Sequence, residues 1–251
     1  SPTEPAPDLD MQLVANQQLV RNRVRLGTAF HLSALAVFAV ALILSWQTDF
    51  SRELPIFSWV AIFLGMGLYS LGQSQLRRWG PRNRQEEQLG QAIRGLDDRY
   101  KLYAFLSSSL PDYILVSPAG VHVLIMRNDA GQVSCVRDRW SRSAGRFGRL
   151  LGGGNIGNPS VEAQRQVERA RAVLRAEGLD EVPVAGLVVF TNPRVGLRIE
   201  GCSTIVTRLK ELKDVLRRAA GKGQNVVLNS ARVREVQAIF DRRMQAAHGW
   251  R

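Results

Sequence analysis

Two stretches of this sequence hold side chains of the type and spacing that chemistry on phosphates uses. The first is Leu110–Val133, LPDYILVSPAGVHVLIMRNDAGQV. Tyr113–Val116 and Val121–Met126 are unbroken apolar runs, and Ser-Pro-Ala-Gly lies between them, with Pro118 and Gly120 where a type I turn accepts them. The pattern predicts a hairpin buried on both faces, in the middle of a sheet. If Ser117 pairs with Gly120, Asp112 falls opposite Ile125, their Cβ atoms about 5 Å apart. Side chains alternate along a strand, so Arg127 shares a face with Ile125, and His122 lies on the other. Asp129 joins Arg127 if the strand runs that far. The second stretch is Arg137–Gly154, RDRWSRSAGRFGRLLGGG, where Arg137, Arg139, Arg142, Arg146 and Arg149 are interspersed with Trp140 and Phe147. Such a mixture can grip nucleic acid by phosphate contact and stacking. It equally suits an anionic membrane surface, a partner protein or a solvated loop. Gly152–Gly154 precedes no GK[ST], which excludes a P-loop reading.

The elements that must position these residues follow in a recognisable order. Gly90-Gln91 sits in a polar helix expected over Asn83–Arg99, with Glu87 and Gln91 on one face. Leu102–Leu106 is expected as the first strand, the hairpin as the second and third, and Gln132–Arg137 as a fourth. Ile125-Met126-Arg127-Asn128 ends the hairpin, and Gly131, Trp140, Asn158-Pro159 and Gln164 come after it. This series, from Gln85 to roughly Val236, resembles the nuclease-related domain (NERD) family, a branch of the PD-(D/E)xK nuclease superfamily. The family places Gly-Glu in the helix, an Asp before the hairpin, and Glu-x-Lys-Asn at its end. The resemblance implies a restriction-endonuclease-like mixed sheet flanked by helices. It also implies chemistry by a divalent metal held on carboxylates, with a Lys orienting or deprotonating water.

At the family positions this chain has Gln91, Asp112, Ile125 and Arg127. An isoleucine cannot ligate a hard cation, and an arginine stays protonated and cannot act as a base. Only Asp112 keeps the family's residue type, so no catalytic or metal site and no cofactor are expected. The alternative is a Mg²⁺-dependent nuclease with relocated ligands, Asp112 with Asp129 or Glu87.

The chain has 251 residues and a formal net charge of +12, which attracts phosphates, anionic lipid or acidic proteins without choosing among them. Its cysteines, Cys135 and Cys202, are too few for a secreted disulfide scaffold; one pair could still bridge, but two reduced, largely buried thiols are expected. His31, His122 and His248 are scattered, with no spacing for a zinc site or a Ser-His-Asp triad.

Four segments are expected. Residues 1–26 read as a disordered tail, Ser1–Asp10, and an amphipathic helix over Met11–Leu26. Residues 27–72 hold two uncharged apolar runs, Gly27–Trp46 and Leu54–Gly72, each long enough to cross a bilayer. Residues 73–84 form a basic linker, and 85–251 an α/β domain. Within it, helices are expected from Asn158-Pro159-Ser160 to about Ala176, from a Thr207 cap to Ala220, and from a Ser230 cap to about Ala246. Val184–Phe190, Ile205–Val206 and Val226–Leu228 are expected to be extended. Arg21, Arg23 and Arg25 before the first run, and Arg77, Arg78, Arg82 and Arg84 after the second, place both termini and the domain in the cytoplasm.

The function expected is a membrane-anchored, catalytically degenerate nuclease-like domain acting as a binding or assembly module. Its partners would be the lipid bilayer, other subunits of a membrane complex, and nucleic acid if the domain is a tether.

Overall fold

The computed structural model describes residues 12–47, 54–79, 85–143, 156–221 and 228–248. The expected tail, residues 48–53 between the apolar runs, residues 80–84 of the basic linker, and Arg146, Phe147, Arg149 and the glycine run lie outside these residues, as do Val226 and Val227.

Two helices form one unit: α1, Gln17–Gln47, and α2, Leu54–Trp79. α1 contains a segment, Gln18–Ile43, that is long and apolar enough to cross a membrane and is mostly unburied by its own chain. Apolar side chains are exposed on both helices, among them Leu32, Leu35, Leu42, Phe63 and Met66. The helices meet through small residues. A Cβ on Gly72 would lie 2.9 Å from His31 Nδ1 and 3.0 Å from the Gly27 carbonyl oxygen, so only a glycine lets the backbones come this close. His31 hydrogen-bonds the Gly27 carbonyl at 3.2 Å and packs edge-on against Tyr69.

The second unit is a mixed α/β domain. Its main sheet has six strands, in the order β1 (Gln12–Ala15), β2 (Lys101–Ala104), β3 (Tyr113–Ser117), β4 (Gly120–Arg127), β7 (Val184–Phe190) and β9 (Ile205–Arg208). β2, β3 and β4 are antiparallel neighbours; β1, β7 and β9 each join in parallel. A smaller sheet runs β6 (Arg139–Ser143), β5 (Gly131–Val136), β8 (Val195–Glu200). Helices α3 (Gln85–Ile93), α4 (Pro159–Ala176), α5 (Leu212–Gly221) and α6 (Ser230–His248) flank the main sheet.

The apolar runs at the centre are covered on both faces. Val121, Val123 and Ile125 of β4 join Ile114, Val116, Val188 and Phe190 in one buried cluster with Ala163, Val167 and Ala170 of α4 and Val236 and Phe240 of α6. The alternate side chains, Leu102, Leu115, Leu124 and Leu187, are buried on the opposite face. α3 lies on that side, where a Cβ on Gly90 would meet Leu13 Cδ2 of β1 at 3.5 Å.

The hairpin forms in the expected register, Ser117 paired with Gly120. Several other expectations need correction. Residues 12–15 are not helical: Leu13 and Val14 alternate between the faces of β1, and pairing with β2 outweighs local preference. α3 ends at Ile93, because the chain turns through Gly95 at φ +74. Arg139–Ser143 is a strand rather than part of a loop, joined to β5 by a tight turn at Arg137-Asp138 with positive φ at both residues. β8 was not anticipated. Thr207 lies inside β9 and caps nothing; its hydroxyl donates to the Arg208 carbonyl. Asn229, not Ser230, caps α6, accepting the Arg232 N–H on its side-chain oxygen at 2.8 Å.

The cysteines are joined as a disulfide, Cα atoms 6.3 Å apart, and are not two free thiols. Parallel pairing sets Cys135 of β5 against Ile199 of β8, and the chain turns back through Gly201 to bring Cys202 to it.

Candidate functional site

The end of β4 is where a nuclease-like hairpin would carry its chemistry. Asp112 lies one residue before β3, half-buried, and its carbonyl accepts the Phe105 N–H at 2.7 Å. Extending the ladder from Ile114–Val123 sets it opposite Ile125. Ile125 is buried in the apolar cluster, so this position offers no ligand atom. Gln91 and Glu87 are exposed on α3, on the opposite face of the sheet from Ile125.

Arg127 is the last residue of β4 and is three-quarters buried. Its Nε donates to Asp129 Oδ2 at 3.1 Å, one terminal nitrogen donates to the Ile156 carbonyl, and the other lies 3.6 Å from Glu162 of α4. Arg142 of β6 donates to the second Asp129 oxygen at 2.9 Å. Two guanidiniums and two carboxylates thus form a closed, charge-balanced network from the β4–β5 connection to β6 and the first turn of α4. A planar guanidinium with several fixed donors suits this crosslinking; an ammonium would make fewer of the bonds. The network occupies Asp129 with two cations, so Asp129 is held as a counter-ion. Among the described residues, Asp112, Asp129 and Glu87 do not come together as a cation-binding group.

The arginine-rich stretch divides. Trp140 is half-buried, donates from its indole N–H to Ser160 Oγ at 2.9 Å and packs on Phe190 with ring centroids 6.3 Å apart. Arg142 faces inward to Asp129. Arg137 and Arg139 are exposed and, with Val136, Glu200 and Gly201, line a shallow concavity of about 580 Å³. Asn158 caps α4 as expected, accepting the N–H groups of Ser160 and Val161 at 3.1 and 3.2 Å. Its amide also donates to the Asp138 carbonyl, tying the helix start to the β5–β6 turn. Gln164 is exposed on α4 and reaches Ser203 Oγ at 3.5 Å.

Sequence reasoning located Arg127 but missed what holds it. Asp129, Arg142 and Glu162 are scattered along the chain, and only the placement of β6 and α4 beside the end of β4 assembles them. The fold so built is a mixed α/β domain with a helix-flanked mixed sheet. No protein-family profile, curated protein or solved structure matches this chain.

Proposed function

We propose that the chain is a membrane-anchored binding or assembly module with a nuclease-like, catalytically inactive α/β domain, working as an accessory subunit of a membrane complex. The observation that carries this reading is the end of β4. A buried isoleucine stands where the resemblance asks for a metal-binding carboxylate, and an arginine engaged with Asp129 and Glu162 stands where it asks for a lysine. That arrangement stabilises the domain and leaves neither a general base nor a hard-cation site. The resemblance to the NERD family, with its restriction-endonuclease-like sheet, belongs to the same proposal.

Incubation of the detergent-extracted full chain with DNA and RNA in Mg²⁺ or Mn²⁺ should give no cleavage above background. Cleavage that Asp112→Ala abolishes would overturn the reading in favour of relocated ligands. The same preparation tests the partner. Stoichiometric co-purifying membrane subunits would support an assembly role, and bound nucleic acid a tether.

The anchoring rests on α1 and on the exposed apolar surface of both helices. Strand pairing supports two spans. β1 precedes α1, and its ladder partner β2 follows α2. Hydrogen-bonded strands lie on one side of a bilayer, so the chain between them crosses an even number of times. A crossing by α1 then requires a return by α2. The arginines flanking the hairpin favour the cytoplasm for the shared side. A membrane-impermeant maleimide applied to intact cells should therefore label Gln47→Cys and spare Gln85→Cys, the unsubstituted chain serving as blank. The reverse pattern would place the domain outside.

A further inference from the structure

The Cys135–Cys202 bridge does not stand alone. Cys135 is wholly buried in β5, Cys202 follows β8 half-buried, and Asp138 occupies the β5–β6 turn. The two sulfurs and an Asp138 carboxylate oxygen all lie within 4.8 Å of one another. Asp138 is also held in place: the Ser203 N–H donates to its Oδ1 at 2.9 Å. One group within a strand and two just beyond strand ends therefore converge with the donor set of two thiolates and one carboxylate, needing only the sulfurs to be reduced.

We propose that, with the disulfide opened, Cys135, Cys202 and Asp138 bind one Zn²⁺-type cation, and that formation of the disulfide and binding of the metal exclude each other. Thiolate sulfur selects borderline and soft cations over Mg²⁺ or Ca²⁺. Three protein ligands leave the fourth tetrahedral position to water or to a group from a partner. The Ser203 N–H orients Asp138 as an outer-sphere bond orients a metal-ligating carboxylate. The redox step is a thiol–disulfide exchange. An external dithiol cleaves the S–S bond and becomes a cyclic disulfide, leaving two protein thiols, which lose two protons when they take up the metal. A reducing compartment keeps such a pair open, where a bridge would be transient. The cytoplasmic placement above would make the metal-binding form the resident one, but the chemistry does not depend on that placement.

The test uses the full chain in detergent. It is reduced with a dithiol, freed of reductant under inert gas, shown by thiol titration to carry two thiols, and titrated with Co²⁺. A thiolate-to-cobalt charge-transfer absorbance should rise to saturation at one equivalent and be displaced by Zn²⁺. The oxidised chain should show none. Cys202→Ser, a substitution at a half-exposed position that the fold tolerates better than one at buried Cys135, should lose the absorbance, and Asp138→Asn should weaken cobalt binding at least tenfold. The proposal fails if the reduced chain gives no charge-transfer absorbance, if Cys202→Ser retains it, or if the bridge cannot be reduced without unfolding the domain.

Discussion

Replacing Gly120 with alanine is expected to destabilise the α/β domain by about 4 kcal/mol, enough to remove much of the stability of an ordinary domain. Gly120 opens β4 at φ +112, where side chains carrying a Cβ are strained. The added Cβ would also lie 2.3 Å from the Pro183 carbonyl oxygen, which is backbone and cannot rotate away. That oxygen accepts the Val121 N–H at 2.9 Å, so relieving the clash separates β4 from the start of β7. The neighbouring Pro118 carbonyl accepts the Leu228 N–H, which extends the damage toward the entry to α6. Gly178→Ala is the control. Gly178 also has positive φ, +73, but nothing lies within 4 Å of its added Cβ, so about 1 kcal/mol is expected. Denaturant unfolding of the full chain in detergent measures both; equal effects would mean that contact with Pro183 does not limit this turn.

Lowering the pH from 6.5 to 4 should cost the domain on the order of 3 kcal/mol through His122 alone. His122 is buried, and burial pushes its imidazole pKa down to about 4 from an ordinary 6.5. Ser117 Oγ gives its hydrogen to the Gly120 carbonyl, so His122 Nε2 donates to Ser117 Oγ at 2.9 Å. Nδ1 is then a bare lone pair with no partner among the described residues, and a proton placed there would be buried without an acceptor from them. The unfolded chain binds that proton below pH 6.5 and the folded chain only near pH 4. Stability from this group is therefore complete above 6.5 and is lost as the pH falls toward 4. His122→Phe should flatten this part of the profile, at the cost of one hydrogen bond at neutral pH. If wild type and variant lose stability in parallel between pH 6.5 and 4, His122 is not the titrating group.

The parts of the fold legible in the sequence are those fixed by close neighbours. The β3–β4 register follows from a four-residue turn, and β7 from an apolar run bounded by Thr-Asn-Pro. The start of α4 follows from Asn158 and Pro159. What was not legible depends on partners distant in sequence. Residues 12–15 have helix-compatible spacing and become a strand only because β2 offers an edge. β6 is rich in Arg and Ser, which reads as loop, and is recruited by β5 through a turn whose local signal is little more than Asp138. The two cysteines are 67 residues apart and meet only because β5 and β8 run side by side. At the end of β4, the sequence named Ile125 and Arg127 as departures from a nuclease pattern. It could not give the compensation, because Asp129, Arg142 and Glu162 come from three separate places.

The placement of β1 has a consequence for the order in which the molecule is made. β1 leaves the ribosome before both long helices, and the edge it needs, β2, is synthesised only after them. A strand so far from its partner pays a loop-closure entropy that grows with the logarithm of the intervening length, about 0.6 kcal/mol for each doubling. The helical hairpin reduces that cost. A Cβ on Gly27 would lie 3.1 Å from Gln75 and Leu76, so the beginning of α1 rests beside the end of α2. Once the helices have paired, the chain that β1 must close over contracts to Asn16 on one side of the hairpin and residues 80–100 on the other. Assembly of the hairpin thereby becomes a kinetic step in completing the sheet, and a chain whose helices fail to pair would keep a ragged, open edge at β2.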